Sequence, residues 1–110
     1  MKVEKKSKYT YLKQTQETVN LFFNELLKNH VDYEKEHLII HFSEKINVNI
    51  KELLLFLDLN SQHRKNGTSF VLICKSVNID EIPNEINVVP TFTEAIDILE
   101  MDAIERELGF

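Results

Sequence analysis

The chain has 110 residues, of which 43% are hydrophobic and 28% charged, a balance that suits a folded globular protein and excludes disorder. One α/β domain over residues 1–110 would bury roughly two-thirds of its unfolded surface, with no need of a disulfide or metal staple. A net charge of −5, with nine acids in residues 77–110 against Arg106 alone, argues against nucleic acid as a partner.

At the start, five lysines in residues 1–13 face only Glu4. They form either a solvated terminus or a contact for an acidic surface. No apolar stretch follows Met1-Lys2-Val3-Glu4-Lys5-Lys6, so the segment lacks the form of a secretory signal. The longest apolar run, Leu53 to Leu57, is far short of the ~20 residues that a membrane span needs. A cytoplasmic protein with no membrane contact is expected.

Alternation around Ser7-Lys8 predicts a hairpin, with Tyr9 to Gln14 as its firmer strand. The period then becomes helical from about Glu17 to His30, where Val19, Phe22, Phe23 and Leu26 define one buried face. Val31 to Glu36 reads as a polar loop. His37-Leu38-Ile39-Ile40-His41-Phe42 then reads as a strand covered on both faces.

Asn49 followed by Glu52 has capping-box spacing, and a single helix is predicted from there to about Lys65, stopped by Asn66-Gly67. Ile50, Leu53, Leu54 and Leu57 make one apolar face of it, with Leu55, Phe56 and Leu59 on the other side. A helix apolar on both sides must bury both. The second face packs against a neighbouring helix of the domain, or it is an exposed patch for a partner or a second copy of the chain.

Thr68 to Cys74 is the next buried strand. Its lone cysteine cannot form an internal disulfide and reads as a buried structural thiol in a reducing compartment. Asp80 to Glu85 is a turn or single helical turn, and Ile86 to Val89 a brief strand ended by Pro90. Thr91 and Glu94 open a helix through Phe92, Ala95, Ile96 and Leu99. The spacing repeats at Asp102 and Glu105, which predicts a break near Met101 and a second short helix to Leu108. Strands alternating with helices imply an α/β domain with parallel later strands and about four helices.

Chemistry-bearing patterns are missing. His37 and His41 share a strand face about 13 Å apart, too far for one ion. His63 falls on a polar helix face, and His30 at a helix end, where imidazole can cap carbonyls. No HExxH, CxxC or GxSxG occurs, and the two glycines, Gly67 and Gly109, cannot build a phosphate loop. No catalytic activity, metal or cofactor is therefore expected.

The element order resembles the STAS domain, named for sulphate transporters and anti-sigma factor antagonists. Met1 to Lys6 with Tyr9-Thr10-Tyr11-Leu12 is similar to its opening hairpin. Leu38-Ile39-Ile40-His41-Phe42-Ser43 is similar to its central strand, where relatives commonly carry Asp near the position of His41. Lys65-Asn66-Gly67 with Phe70 to Ile73, and Val88 to Ala95, resemble its later elements.

The resemblance implies a STAS-like mixed sheet and a non-enzymatic, bacterial protein-binding role in regulation, with an anti-sigma-type regulator as partner. In that family the loop and helix start after the central strand touch the partner. Asn47, Val48 and Asn49 would then be the polar edge of the site, and Leu55, Phe56 and Leu59 the adjacent apolar anchor. The chain is also similar to a bacterial family sometimes labelled ribonuclease Z. That enzyme's di-metal histidine motif is absent, which leaves an alternative role as an accessory or structural subunit of such an enzyme in RNA processing.

The family's phospho-acceptor, Asp-Ser-Ser-Gly or a variant, falls where this chain has Ile46-Asn47-Val48-Asn49-Ile50, and no Ser or Thr lies between Glu44 and Asn60. Mass spectrometry after treatment with an anti-sigma-type kinase should find no phosphate on the peptide from Glu44 to Asn60. A phosphate there would overturn this reading.

Overall fold

The computed structural model describes residues 1–109, in which a mixed five-stranded sheet is packed with four α-helices. Strands β1 (Lys2–Lys5) and β2 (Thr10–Lys13) form the expected antiparallel hairpin. Strands β3 (Leu38–His41), β4 (Phe70–Ile73) and β5 (Asn87–Val89) continue parallel to β2, in the spatial order β1-β2-β3-β4-β5. Helix α1 (Val19–Asn29) joins β2 to β3, and helices α2 (Ile50–Leu54) and α3 (Leu57–Lys65) join β3 to β4. Helix α4 (Phe92–Glu107) follows β5. Among the described residues no helix is long and apolar enough to cross a membrane.

Side chains alternate across a strand, so the sheet has two separate apolar faces. Leu12, Leu38, Ile40, Phe70 and Leu72 meet Val19, Phe22 and Leu26 of α1 and Leu53, Phe56 and Leu59 of the α2–α3 segment. Helix α1 and the α2–α3 segment, which connect parallel neighbouring strands, both lie on this side. Ile39, Val71 and Ile73 point the other way, where Ala95, Ile96 and Leu99 of α4 cover them.

Two helix predictions differ from the structure. The helix from Asn49 is not continuous, because Leu55 and Phe56 donate to Glu52 and Leu53, three residues back, at 3.3 and 3.0 Å. An α-helix would rotate residues three apart by about 60° relative to one another. Two tightened steps bring Leu53, Phe56 and Leu59 into line, so the supposed second face turns inward. Phe56 packs edge-on to Phe23 and Phe42, with ring centroids 5.0 and 5.3 Å apart.

Helix α4, by contrast, runs unbroken through Met101. Asp102 does not cap a new helix. Its carboxylate instead accepts the Ser69 hydroxyl at 2.7 Å, a tertiary partner that the local spacing does not reveal.

The smaller expectations fare better. Thr91 caps α4, Asn49 and Glu52 form a complete capping box, and Gly67 takes the left-handed conformation (φ 74°) that ends α3. Cys74 is buried at the end of β4. The polar loop after α1 is more structured than predicted, with a 3₁₀ turn over His30–Asp32 and Tyr33 buried behind it.

Phe56 is fully buried in this core. Phe56→Ala should lower the unfolding free energy by about 3–5 kcal/mol in a denaturant titration, through the cavity left among three other rings. A loss below about 1 kcal/mol would contradict the packing described.

Candidate interaction surface at the carboxyl edge of the sheet

Parallel α/β sheets present their ligand-binding loops at the carboxyl ends of the strands. Here that edge carries the segment from Phe42 to Asn49, which leaves β3 and leads into α2. Three local devices hold it.

Gln14, buried just past β2, accepts the Ser43 N–H at 3.0 Å and donates to the Gln16 carbonyl at 3.0 Å. Ser76, beyond β4, accepts the Val48 N–H at 3.0 Å and lies 3.4 Å from the Val48 carbonyl, to which it donates. Asn49 accepts the Glu52 N–H at 2.9 Å while Glu52 accepts the Asn49 N–H at 3.0 Å. These bonds satisfy backbone donors that the loop would otherwise leave to solvent, and they order it.

Between this loop and the end of β4 lies a cleft of about 350 Å³, lined in part by Ser43, Asn47, Cys74, Lys75 and Ser76. Lys75 and Glu44 pair across its rim at 3.4 Å, but both are largely exposed, and such pairs contribute little. The cleft holds an imidazole, a thiol and hydroxyls, each engaged with a different neighbour. His41 Nδ1 pairs with the Tyr11 hydroxyl, Cys74 Sγ lies 3.4 Å from Ser76 Oγ, and Ser43 Oγ accepts the Lys45 N–H at 3.2 Å. Burial, with a smaller contribution from Lys13, holds the His41 pKa below its ordinary value. Burial raises that of Tyr11, helped by Glu4. The geometry offers a polar, shaped surface.

The expected site residues divide into two groups. Asn47 and Asn49 are exposed on the loop, and Val48 between them is buried with its N–H on Ser76. Phe56 and Leu59 are core residues, 0% and 3% exposed, so the apolar anchor expected around them is corrected: no partner reaches them without unpacking the domain. The tight turn at Leu55–Phe56 is the cause. Leu55, at 36%, remains on the outside, beside Leu54 at 38%.

The histidine expectations also change at the far end of the molecule. His63 is fully buried rather than on a polar face, and His30 reaches it rather than capping a carbonyl. The two Nε2 atoms lie 2.9 Å apart, and His63 Nδ1 lies 2.8 Å from the Thr68 hydroxyl. That hydroxyl donates to the His63 carbonyl at 3.1 Å, so it must accept from Nδ1–H. His63 Nε2 is therefore the acceptor and His30 Nε2 carries the proton. Protonation of His63 Nε2 would remove its acceptor and break this chain of bonds, which therefore requires a neutral His63 ring.

Burial lowers the pKa of His63 to about 4, with the nearby His30 adding to the effect, and burial lowers that of His30 against the pull of Glu34. Residues 33 apart carry no local pattern that could have announced the pair.

No protein-family model matches the chain, and no curated protein matches it in sequence.

The histidine pair makes stability depend on pH. Unfolded histidine titrates near 6.5, so as pH falls from 6.5 towards 4 the unfolded chain takes up protons that folded His63 refuses. The stabilisation is complete above pH 6.5 and is lost progressively down to about pH 4. The displacement of His63 alone corresponds to roughly 3 kcal/mol. Denaturant titrations at pH 7 and 4.5 should show this loss in the wild type and a smaller one in His63→Leu. Equal losses in both would refute the assignment.

Proposed function

We propose that the chain is a non-enzymatic protein-interaction module of the STAS type, which binds a regulatory protein in the manner of an anti-sigma factor antagonist. The observation that carries this reading is the build of the loop from Phe42 to Asn49. Gln14, Ser76 and the capping box bond its backbone at three points while the Asn47 and Asn49 side chains stay outside. A preordered polar loop gives up little conformational entropy on docking, which leaves more of its contact energy for affinity.

The leading hairpin and the parallel strands after it agree with the element order of the resembled family. Exposed Leu54 and Leu55, at the end of α2, supply apolar area next to the polar edge in place of Phe56 and Leu59. With no hydroxyl between Glu44 and Asn60, control of the complex rests on partner competition or on the amount of protein present.

The test is a pull-down from a native-host extract with immobilised wild type, Asn47→Arg and Asn20→Arg. Both substitutions replace exposed residues, and Asn20 lies on α1, outside the loop. The expected result is capture of a kinase-like anti-sigma regulator by wild type and Asn20→Arg, weakened at least about tenfold by Asn47→Arg. Equal capture by all three would remove the loop from the interface. Capture of a nuclease instead would make the chain an accessory subunit.

A further inference from the structure

A second cleft, of about 390 Å³, opens at the opposite edge of the sheet, between the turn of the β1–β2 hairpin and α4. Its walls are mainly apolar. Ile96, Leu99 and Ala103 succeed one another at helical spacing along α4, and Tyr9 faces them from the hairpin. The volume is at the small end of the range for small-molecule sites. Two polar groups on the α4 side of the sheet are held by the same residue, Ser69, and both line the cleft.

The first is His37. Its Nδ1 accepts the backbone N–H of Ser69 at 2.9 Å, so in the neutral ring the proton resides on Nε2, which is then a donor. Burial is the largest cause of the lowered pKa of His37, with the positive charge of Arg106 second, and both favour this neutral form.

The second is Arg106. Its Nη1 donates to Ser69 Oγ at 3.4 Å, while that hydroxyl donates to Asp102 at 2.7 Å. Among the described residues this long bond is the one that the guanidinium side chain makes, and its planar fork is suited to a carboxylate. Lys8 adds positive charge on the hairpin side, and among the described residues Glu100 is the one acid that lines the cleft.

We infer that this cleft is a binding site for a small amphiphilic carboxylate, its apolar body against Tyr9, Ile96, Leu99 and Ala103 and its anionic end received by Arg106 and His37 Nε2–H. The site is separate from the partner loop, which lies at the other end of the parallel strands, so it stands or falls independently of the interaction reading.

Octanoate is the probe, with octylamine as the control of matching chain length and opposite charge. Both are titrated into the isotope-labelled full chain and followed by two-dimensional amide and side-chain NMR. The expected result is saturable shifts at Tyr9, His37, Leu99 and Arg106 with octanoate and none there with octylamine. Arg106→Gln should weaken octanoate about tenfold or more through loss of the charge-assisted bonds. Ala103→Phe, at an exposed position, should abolish binding by filling the cleft, and the amide spectrum reports whether each variant is folded. Absence of cleft shifts at the solubility limit of octanoate would overturn the assignment. Equal binding of octylamine, or shifts confined to the outer Met101 and Ile104 surface of α4, would overturn it as well.

Discussion

The fold is organised around four phenylalanine rings on one face of the sheet. Phe56 meets Phe23 and Phe42 edge-on, and Phe22 meets Phe42 at 5.9 Å with the planes nearly perpendicular. Edge-to-face pairs of this kind add to the energy of burial and also fix orientation, because the positive edge of one ring seeks the negative face of another. The four residues come from α1, from the end of β3 and from the turn between α2 and α3. Their mutual fit therefore sets how α1 lies beside the α2–α3 segment, and where the chain leaves β3 for the loop that carries Asn47.

Polar residues play a matching part at the two ends of the sheet. Gln14 and Ser76 tie down the carboxyl edge, while Ser69 joins His37, Asp102 and Arg106 at the amino edge. Among the described residues no buried side-chain nitrogen or oxygen lacks a partner. Unpaired polar atoms in such positions would each cost on the order of 1–3 kcal/mol, so a packed core between two polar rims requires this degree of matching. Glu36 shows the principle in small. It accepts the Thr10 hydroxyl at 2.6 Å and pairs with Lys5 at 3.3 Å, and these contacts, Thr10 first, hold its carboxyl below the usual range.

Much of this architecture could be read from the residues in order. Period-two and period-3.6 patterns, the caps at Asn49 and Thr91, and the stop at Gly67 are local signals, and local signals survive into the structure. What escaped was decided at a distance. The tight turn at Leu55–Phe56 answers to rings on α1 and β3, and the continuity of α4 at Asp102 answers to Ser69. Of the polar edge expected at Asn47, Val48 and Asn49, the two asparagines are exposed but Val48 is buried, and sequence reasoning could not assign the inner side of a helix that is apolar on both sides. Nor could it foresee that Ser76, His30 and His37 would each find a partner about thirty residues away.

The strand order β1-β2-β3-β4-β5 has a further consequence for how the molecule comes into being. Every strand pairs with the one synthesised just before it, so no loop has to close around an element still to come. Each new strand emerging from the ribosome finds its template already exposed, and the entropy of closure stays that of one crossover at a time. Helix α4 is the exception to this stepwise growth. Among the described residues it is the one helix on the face that holds Ile39, Val71 and Ile73, and it follows all five strands in the chain. Until it arrives, a nascent sheet with one finished side and one bare apolar side is the species most open to capture by chaperones or by its own kind.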